Sequence, residues 1–306
     1  LIKREKCSDL LPVTAIYGPN GGGKTTLLQA LCCLVSTVVR PIYDLEKNRL
    51  SIVIQHNISS VPFKFDETSS SEPTEFQVYF RTEENEYRYY LALFQDIIVS
   101  ESLDKRKIGA KRPAHIFERN GDEITLGASL NKSSVNTSVN PKMPYLSFLS
   151  INYNFPLIAE VQEWFESCVI QTYANPNAER RILISEDSAF KKQILRFLND
   201  MGIDITDYRY DEEDKQFYFQ RQLGDKTYEL SYPEESDGTR KLIAVLPVLL
   251  LALQEGRLVV IDELDAKLHP KLLRYVISLF QNPEVNKNGS QLLFTSHDTI
   301  SVRLRI

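Results

Sequence analysis

Gly18-Pro19-Asn20-Gly21-Gly22-Gly23-Lys24-Thr25 is the stretch that decides the fold. It fits G-x-x-x-x-G-K-[ST] at every fixed position and lies between two segments of opposite periodicity. Before it, Val13-Thr14-Ala15-Ile16-Tyr17 is a β-rich run. After it, from Lys24 to Arg40, Leu27, Leu28, Leu31, Leu34, Val35, Val38 and Val39 share one face at period 3.6. Strand, glycine loop and helix are the order a phosphate loop requires. Glycines let successive backbone N–H groups converge on phosphate oxygens, and the helix N-terminus adds partial positive charge. Asn20, Gly21, Gly22, Gly23, Lys24, Thr25 and Thr26 form the expected nucleotide-contacting segment, with Lys24 bridging the β- and γ-phosphates and the Thr25 hydroxyl on Mg²⁺.

The rest of the composition suits this reading. The chain has 306 residues, 36 basic and 41 acidic side chains and a formal charge of −5, with 42% hydrophobic residues. That balance is ordinary for a globular chain and excludes collagen-like or disordered classes. Cys7, Cys32, Cys33 and Cys168 have no metal-ligand spacing and read as reduced thiols of a cytoplasmic protein. Leu242 to Leu253 is the longest apolar candidate and falls short of the about 20 residues that span a bilayer, so no membrane association is expected. The chain starts without Met and ends nine residues after His297, which leads us to expect further pieces beyond both ends.

A loop that holds phosphates needs a carboxylate for the metal. Leu258-Val259-Val260-Ile261-Asp262-Glu263 supplies an apolar run, of the kind found in buried parallel strands, ending in two acids. Asp262 is the expected Mg²⁺ partner, and Glu263 the residue that polarises attacking water. Asp262 follows Ser236 by 26 positions, room for one helix and a turn. Glu235-Ser236-Asp237-Gly238-Thr239-Arg240 opens that helix; by itself it would be an ordinary Ser N-cap.

In this order the motifs resemble those of ABC-type ATPases, whose signature is a Ser-x-Gly turn at a helix N-terminus. The resemblance implies that Ser236 and Gly238 cap the γ-phosphate held by a second copy. It also implies that Asp265, in Leu264-Asp265-Ala266-Lys267-Leu268-His269-Pro270, is a D-loop residue at a dimer interface, and that His297 is a switch histidine acting with Glu263. His56, His115 and His269 read as structural. The family's glutamine is not singled out: Gln55, Gln77 and Gln95 remain open. Asp237 and Thr239 depart from the transporter signature and point to other relatives.

Between these ends, Thr74 to Leu103 alternates (Phe76, Val78, Phe80, Tyr87, Tyr89, Leu91, Leu93), as in an antiparallel hairpin continued by Ile116-Phe117-Glu118-Arg119. Asp66 to Pro73 and Asn131 to Pro141 read as surface loops. Leu157 to Tyr173 and Ser185 to Met201 read as helices, followed by a hairpin of Tyr208 to Tyr210 and Phe217 to Arg221. Helix Pro270 to Gln281 and strand Gln291 to Thr295 complete the pattern. The expected fold is therefore α/β, a P-loop NTPase of ABC-ATPase head type. It has a mixed or parallel core sheet, an antiparallel β lobe and a helical subdomain. A single head is expected over 1–306: phosphate loop and β lobe in 1–150, a helical and hairpin subdomain in 151–230, and the remaining motifs in 231–306.

The middle segments and the Glu-Leu-Asp-x-x-Leu-His-Pro run resemble the stand-alone ATPases of bacterial abortive-infection and anti-phage loci. Septu-type and retron-associated subunits are among them, with heads similar to overcoming-lysogenization-defect and SMC/RecF proteins. That resemblance implies ATP and Mg²⁺, a homodimer or higher homo-oligomer, and an effector protein, a nuclease or toxin, held in check, with nucleic acid as trigger or target. Lys105-Arg106-Lys107 with Lys111-Arg112 is a local basic cluster, read first as a solvated loop. The alternative is an SMC/RecF-like DNA-repair ATPase, disfavoured by the lack of a long heptad insertion. A transporter subunit is a more distant third.

Overall fold

The structure is a computed structural model and describes residues 1–3, 5, 7–45, 63, 66, 68–130, 134–171, 183, 188–266 and 268–297. Gln55, His56, Lys267, Asp298 and residues 131–133 of the second loop lie outside the described residues. In chain order, β1 (Val13–Tyr17) leads to α1 (Lys24–Leu45). Five strands follow: β2 (Thr74–Arg81), β3 (Asn85–Phe94), β4 (Ile97–Lys107), β5 (Ala114–Asn120) and β6 (Glu123–Leu126). Next come α2 (Tyr145–Asn152), α3 (Pro156–Ser167), β7 (Val169–Gln171), α4 (Ser188–Asp200) and the strands β8 (Asp207–Asp211), β9 (Gln216–Leu223) and β10 (Lys226–Ser231). The chain continues with α5 (Asp237–Glu255), β11 (Leu258–Ile261), α6 (Pro270–Gln281) and β12 (Gln291–Ser296). Two compact units result, Leu1–Ile2 with Leu10–Thr25 and Val169–Ile306, and Lys3–Asp9 with Thr26–Cys168.

The first unit is built on a parallel sheet of order β1-β12-β11-β7. Val259, Val260, Ile261, Leu292 and Phe294 are buried, which explains the unbroken apolar runs. α5 is apolar on all sides, with twelve residues from Lys241 to Leu253 buried. Ser236 caps its start, and Gly256 ends it at φ +73, where a Cβ would stand 2.6 Å from the Asn288 carbonyl oxygen. α6 begins with Pro270 after the N-cap His269 and buries Leu273, Val276, Ile277 and Phe280, the i, i+3, i+4, i+7 face. A separate antiparallel sheet of order β10-β9-β8 completes this unit.

The second unit carries the antiparallel meander β2-β3-β4-β5-β6. Its aromatic inner face packs on α3: Phe80 stacks on Trp164 at 4.1 Å between ring centroids, and Tyr89 meets Phe165 edge-on. α2 begins after Pro144, which offers no side-chain cap. Glu101, fully buried on β4, takes over by accepting the N–H groups of Tyr145 (2.6 Å) and Leu146 (2.9 Å) and the Tyr89 hydroxyl. Burial pushes its carboxyl above the ordinary range, and those donors offset only part of the rise.

Several expectations change. The helix foreseen over Leu157 to Tyr173 stops at Ser167, and Val169–Gln171 is instead the strand β7. α1 runs five residues beyond Arg40, through Pro41, and Leu27 is 57% exposed rather than on its buried face. The basic cluster is only in part a loop: Lys111 and Arg112 are exposed in the connection between β4 and β5. Lys105, Arg106 and Lys107 lie on β4, with Arg106 and Lys107 paired to Glu86 and Glu84. Among the described residues, the helix long and apolar enough to cross a membrane by length and composition is α1, not the segment from Leu242. Its N-terminus is the phosphate-loop lysine, and Val35, Val38 and Val39 are buried, so it reads as a core helix.

Candidate nucleotide site

All four strands of the parallel sheet run the same way, so their carboxyl ends share one edge, where α/β folds bind ligands. β1 delivers Gly18 there, β12 delivers His297, β11 delivers Asp262 and Glu263, and β7 ends at Gln171. The register pairs Tyr17 with Ser296, Ile261 with Phe294 and Ile261 with Gln171. The β1 and β11 ends are two strand spacings apart, about 10 Å, with β12 between them. Gly18, Pro19, Asn20, Glu263 and His297 line one cleft of about 460 Å³. Three segments distant in sequence thus converge on one cleft.

The loop has the form of an anion cradle. Gly21 and Gly23 adopt φ +77 and +82, and Cβ atoms built on them meet open space, so backbone conformation is what demands glycine. At Gly22 a Cβ would lie 3.0 Å from the Pro19 carbonyl oxygen. Lys24 is only 8% exposed, and its ammonium donates to the carbonyl oxygens of Gly18 (2.8 Å) and Pro19 (3.0 Å). Asn20, Thr25 and Thr26 are exposed around it.

The acidic turn is held by a residue the sequence reading passed over. Thr295, fully buried at the end of β12, donates to Asp262 Oδ1 (2.5 Å) and accepts the Glu263 N–H (2.7 Å). Glu263 sits at φ +49, in a region that costs a non-glycine residue about 1–2 kcal/mol, and such outliers gather at functional sites. Its Oε1 is 3.2 Å from His297 Nε2, and Asp265 Oδ2 accepts the His297 backbone N–H at 3.0 Å. Asp265 therefore fixes the histidine's backbone within the chain. Among the described residues, no three His, Cys, Asp or Glu side chains form a metal cluster. A Mg²⁺ held by Thr25 and Asp262 would share its ligation with phosphate oxygens and water, as this small hard cation does.

Ser236 and Gly238 stand elsewhere. They open α5 and do not line the cleft. Ser236 Oγ accepts the Thr239 N–H (3.1 Å), and Asp237 pairs with Arg240. Behind this turn, Glu235 is buried and forked onto Arg221 of β9, with Nη2 to Oε2 at 2.9 Å. Of the open glutamines, Gln77 lies on β2, bonded to Arg88, and Gln95 in the β3–β4 turn. Gln171 is the glutamine at the edge that carries the cleft residues. The signal for it was the β-branched pair Val169-Ile170 just before it.

A family model described as "AAA domain, putative AbiEii toxin, Type IV TA system" matches residues 13–303. No curated protein matches the chain. Among solved structures, the Smc head bound to the C-winged helix domain of ScpA is 13% identical over 94% of this chain and 82% of that one, with a TM-score of 0.45. The SMC head domain from Thermotoga maritima is 13% identical over 94% and 81%, with a TM-score of 0.35.

Proposed function

The chain belongs to the family of AAA domains that includes the AbiEii-type toxins, and from that membership we propose that it binds and hydrolyses ATP to control an effector in abortive infection. One observation carries the catalytic half of this reading: Gly18 to Asn20, Glu263 and His297 line one cleft, and Ser236 and Gly238, at the start of α5, are not among its lining residues. A site with a complete cradle and carboxylate but an external signature turn is completed by a second copy, head to tail.

In that arrangement the loop N–H groups of Asn20 to Thr26 and Lys24 bind the phosphates, and Thr25 and Asp262 hold Mg²⁺. The cation, when bound, neutralises charge on the β- and γ-phosphate oxygens. Glu263 orients the attacking water and takes its proton, and His297 keeps the Glu263 carboxylate in place and faces the γ-phosphate. The partner's signature turn closes the site with N–H groups and a helix dipole, excluding water. Lys24→Ala is expected to abolish nucleotide binding, measured by titration with a fluorescent ATP analogue. Retained affinity would remove the assignment of the loop.

The regulatory half rests on the toxin-system description of the family model. Turnover on a dimerising head gives two states, closed with ATP and open without, and an attached nuclease or toxin is governed by the difference. Among the described residues no three His, Cys, Asp or Glu side chains form a metal cluster, and any cutting is assigned to a partner or to a part of the protein outside this chain, with nucleic acid as trigger or target. The setting is the cytoplasm, which supplies ATP and keeps the four cysteine thiols reduced. Mass spectrometry of the proteins that co-purify stoichiometrically from the native host, with and without ATP, tests this. A nuclease or toxin is expected, and a DNA-processing complex or a permease would overturn it.

A further inference from the structure

Lys241 lies five residues beyond Ser236 on α5, about one and a half turns along the helix. It is 8% exposed, and its ammonium donates to the carbonyl oxygens of Glu263 (2.7 Å) and Ala266. Burying a cation is expensive unless polar groups receive it, and the helix beyond it, Leu242 to Leu253, is apolar, so a leucine or methionine would fill the space at less cost. What the lysine gains is a grip on one turn, the turn that carries Glu263 and Asp265.

That turn needs holding. Glu263 is left-handed at φ +49, a conformation the turn must impose on a residue with a Cβ. Within the turn, the Ala266 N–H returns to the Glu263 carbonyl oxygen (3.0 Å), so that oxygen receives both the turn's closing bond and the Lys241 ammonium. From the other side, the Leu264 N–H reaches the Thr295 carbonyl oxygen at 3.2 Å. The backbone of the turn that carries the carboxylate is thus clamped between β12 and α5.

We propose that Lys241 is a positioning residue that ties the signature helix to the Glu263 turn of the same chain. Resting on the ATPase reading, this makes the two nucleotides of a head-to-tail pair interdependent. When Ser236 of one copy engages the nucleotide of the other, its α5 shifts, and Lys241 passes the shift to Glu263 in its own site. Closure at one nucleotide then aligns the carboxylate at the second, and turnover becomes cooperative in ATP.

The test compares wild type, Lys241→Met and Lys241→Arg by steady-state ATPase kinetics and by amide hydrogen exchange at Leu264 and Ala266. Lys241→Met is expected to lower kcat about 10²-fold, the penalty of roughly 1 Å of misplacement, with KM within about threefold. Cooperativity is expected to be lost, and exchange at the two amides to accelerate at least about tenfold. Lys241→Arg, which keeps the cation and fills the site should methionine not fold, is expected to recover part of each. Unchanged exchange at 264 and 266 in Lys241→Met overturns the proposal, as does unchanged kcat or a raised KM with kcat kept. A wild type with no turnover would count against the ATPase reading instead, and the exchange comparison would still decide whether Lys241 holds the turn.

Discussion

Thr295→Val replaces a hydroxyl by a methyl of the same shape in the fully buried position that joins Asp262 to Glu263. Two bonds go. The donor bond to the Asp262 carboxylate is of the charged type, worth about 1.5–3 kcal/mol. The Glu263 N–H, only part-buried, loses its acceptor at a net cost of about 1 kcal/mol. Valine returns some apolar burial, so the expected net loss is about 2–4 kcal/mol. That is a large part of an ordinary total of about 5–15 kcal/mol, yet the chain still folds. The assay is urea unfolding with the midpoint and slope read together, since a changed midpoint at constant slope is a change in stability. Thr295→Ser, which keeps the hydroxyl, is expected to stay within about 1.5 kcal/mol of wild type. Turnover in Thr295→Val is expected to fall at least about tenfold, the effect of about 1.4 kcal/mol on the barrier, because Glu263 loses one of its anchors. A Thr295→Val protein within about 0.5 kcal/mol of wild type would refute the reasoning, since surface-like tolerance cannot occur at a position making these two bonds.

The buried carboxyl of Glu101 gives a pH prediction. Its pKa is raised by burial in the folded state, so the native form binds the proton more tightly than the unfolded form. Its contribution is full below the unfolded value near 4.5 and is lost as pH rises through the raised value. Unfolding free energy should therefore decline over that rise in wild type and flatten in Glu101→Gln; equal slopes would contradict it. Arg221→Ala is expected to destabilise by about 2–3 kcal/mol, because the Glu235 carboxylate, 2% exposed, loses its partner. In the Arg221→Ala/Glu235→Ala double variant the losses should fall short of additive, and full additivity would show the pair to be uncoupled.

The phosphate loop was legible because it is local: glycine at fixed offsets and a lysine before a helix have few other uses. α6 was placed to the residue because Pro270 opens it and a single apolar stripe fills it. β7 was missed because three apolar residues, Cys168 to Ile170, are too few to show a period, and a helix immediately precedes them. α2 was missed for a related reason: its N-terminus is capped by Glu101, 44 residues away from Tyr145 in sequence, and local signals are absent. The same limit hid Thr295, Lys241 and the Arg221–Glu235 pair. Each acts on a turn from another element, and nothing in the surrounding residues announces the partner. The order of motifs named the strand ends and turns to inspect, and the strand register sets which of them lie side by side.

The head-to-tail site is tested most directly by the solution mass of Glu263→Gln with and without ATP and Mg²⁺. The variant keeps Lys24, Thr25 and Asp262 for binding but removes the carboxylate assigned to hydrolysis. It is expected to hold ATP and to run at twice the mass of the chain in the presence of nucleotide and at the single mass without it. Adding Ser236→Arg, which blocks the signature turn, should return it to the single mass with ATP still bound. A Glu263→Gln protein that stays at the single mass at saturating ATP, or one that hydrolyses ATP at the wild-type rate, would contradict the account.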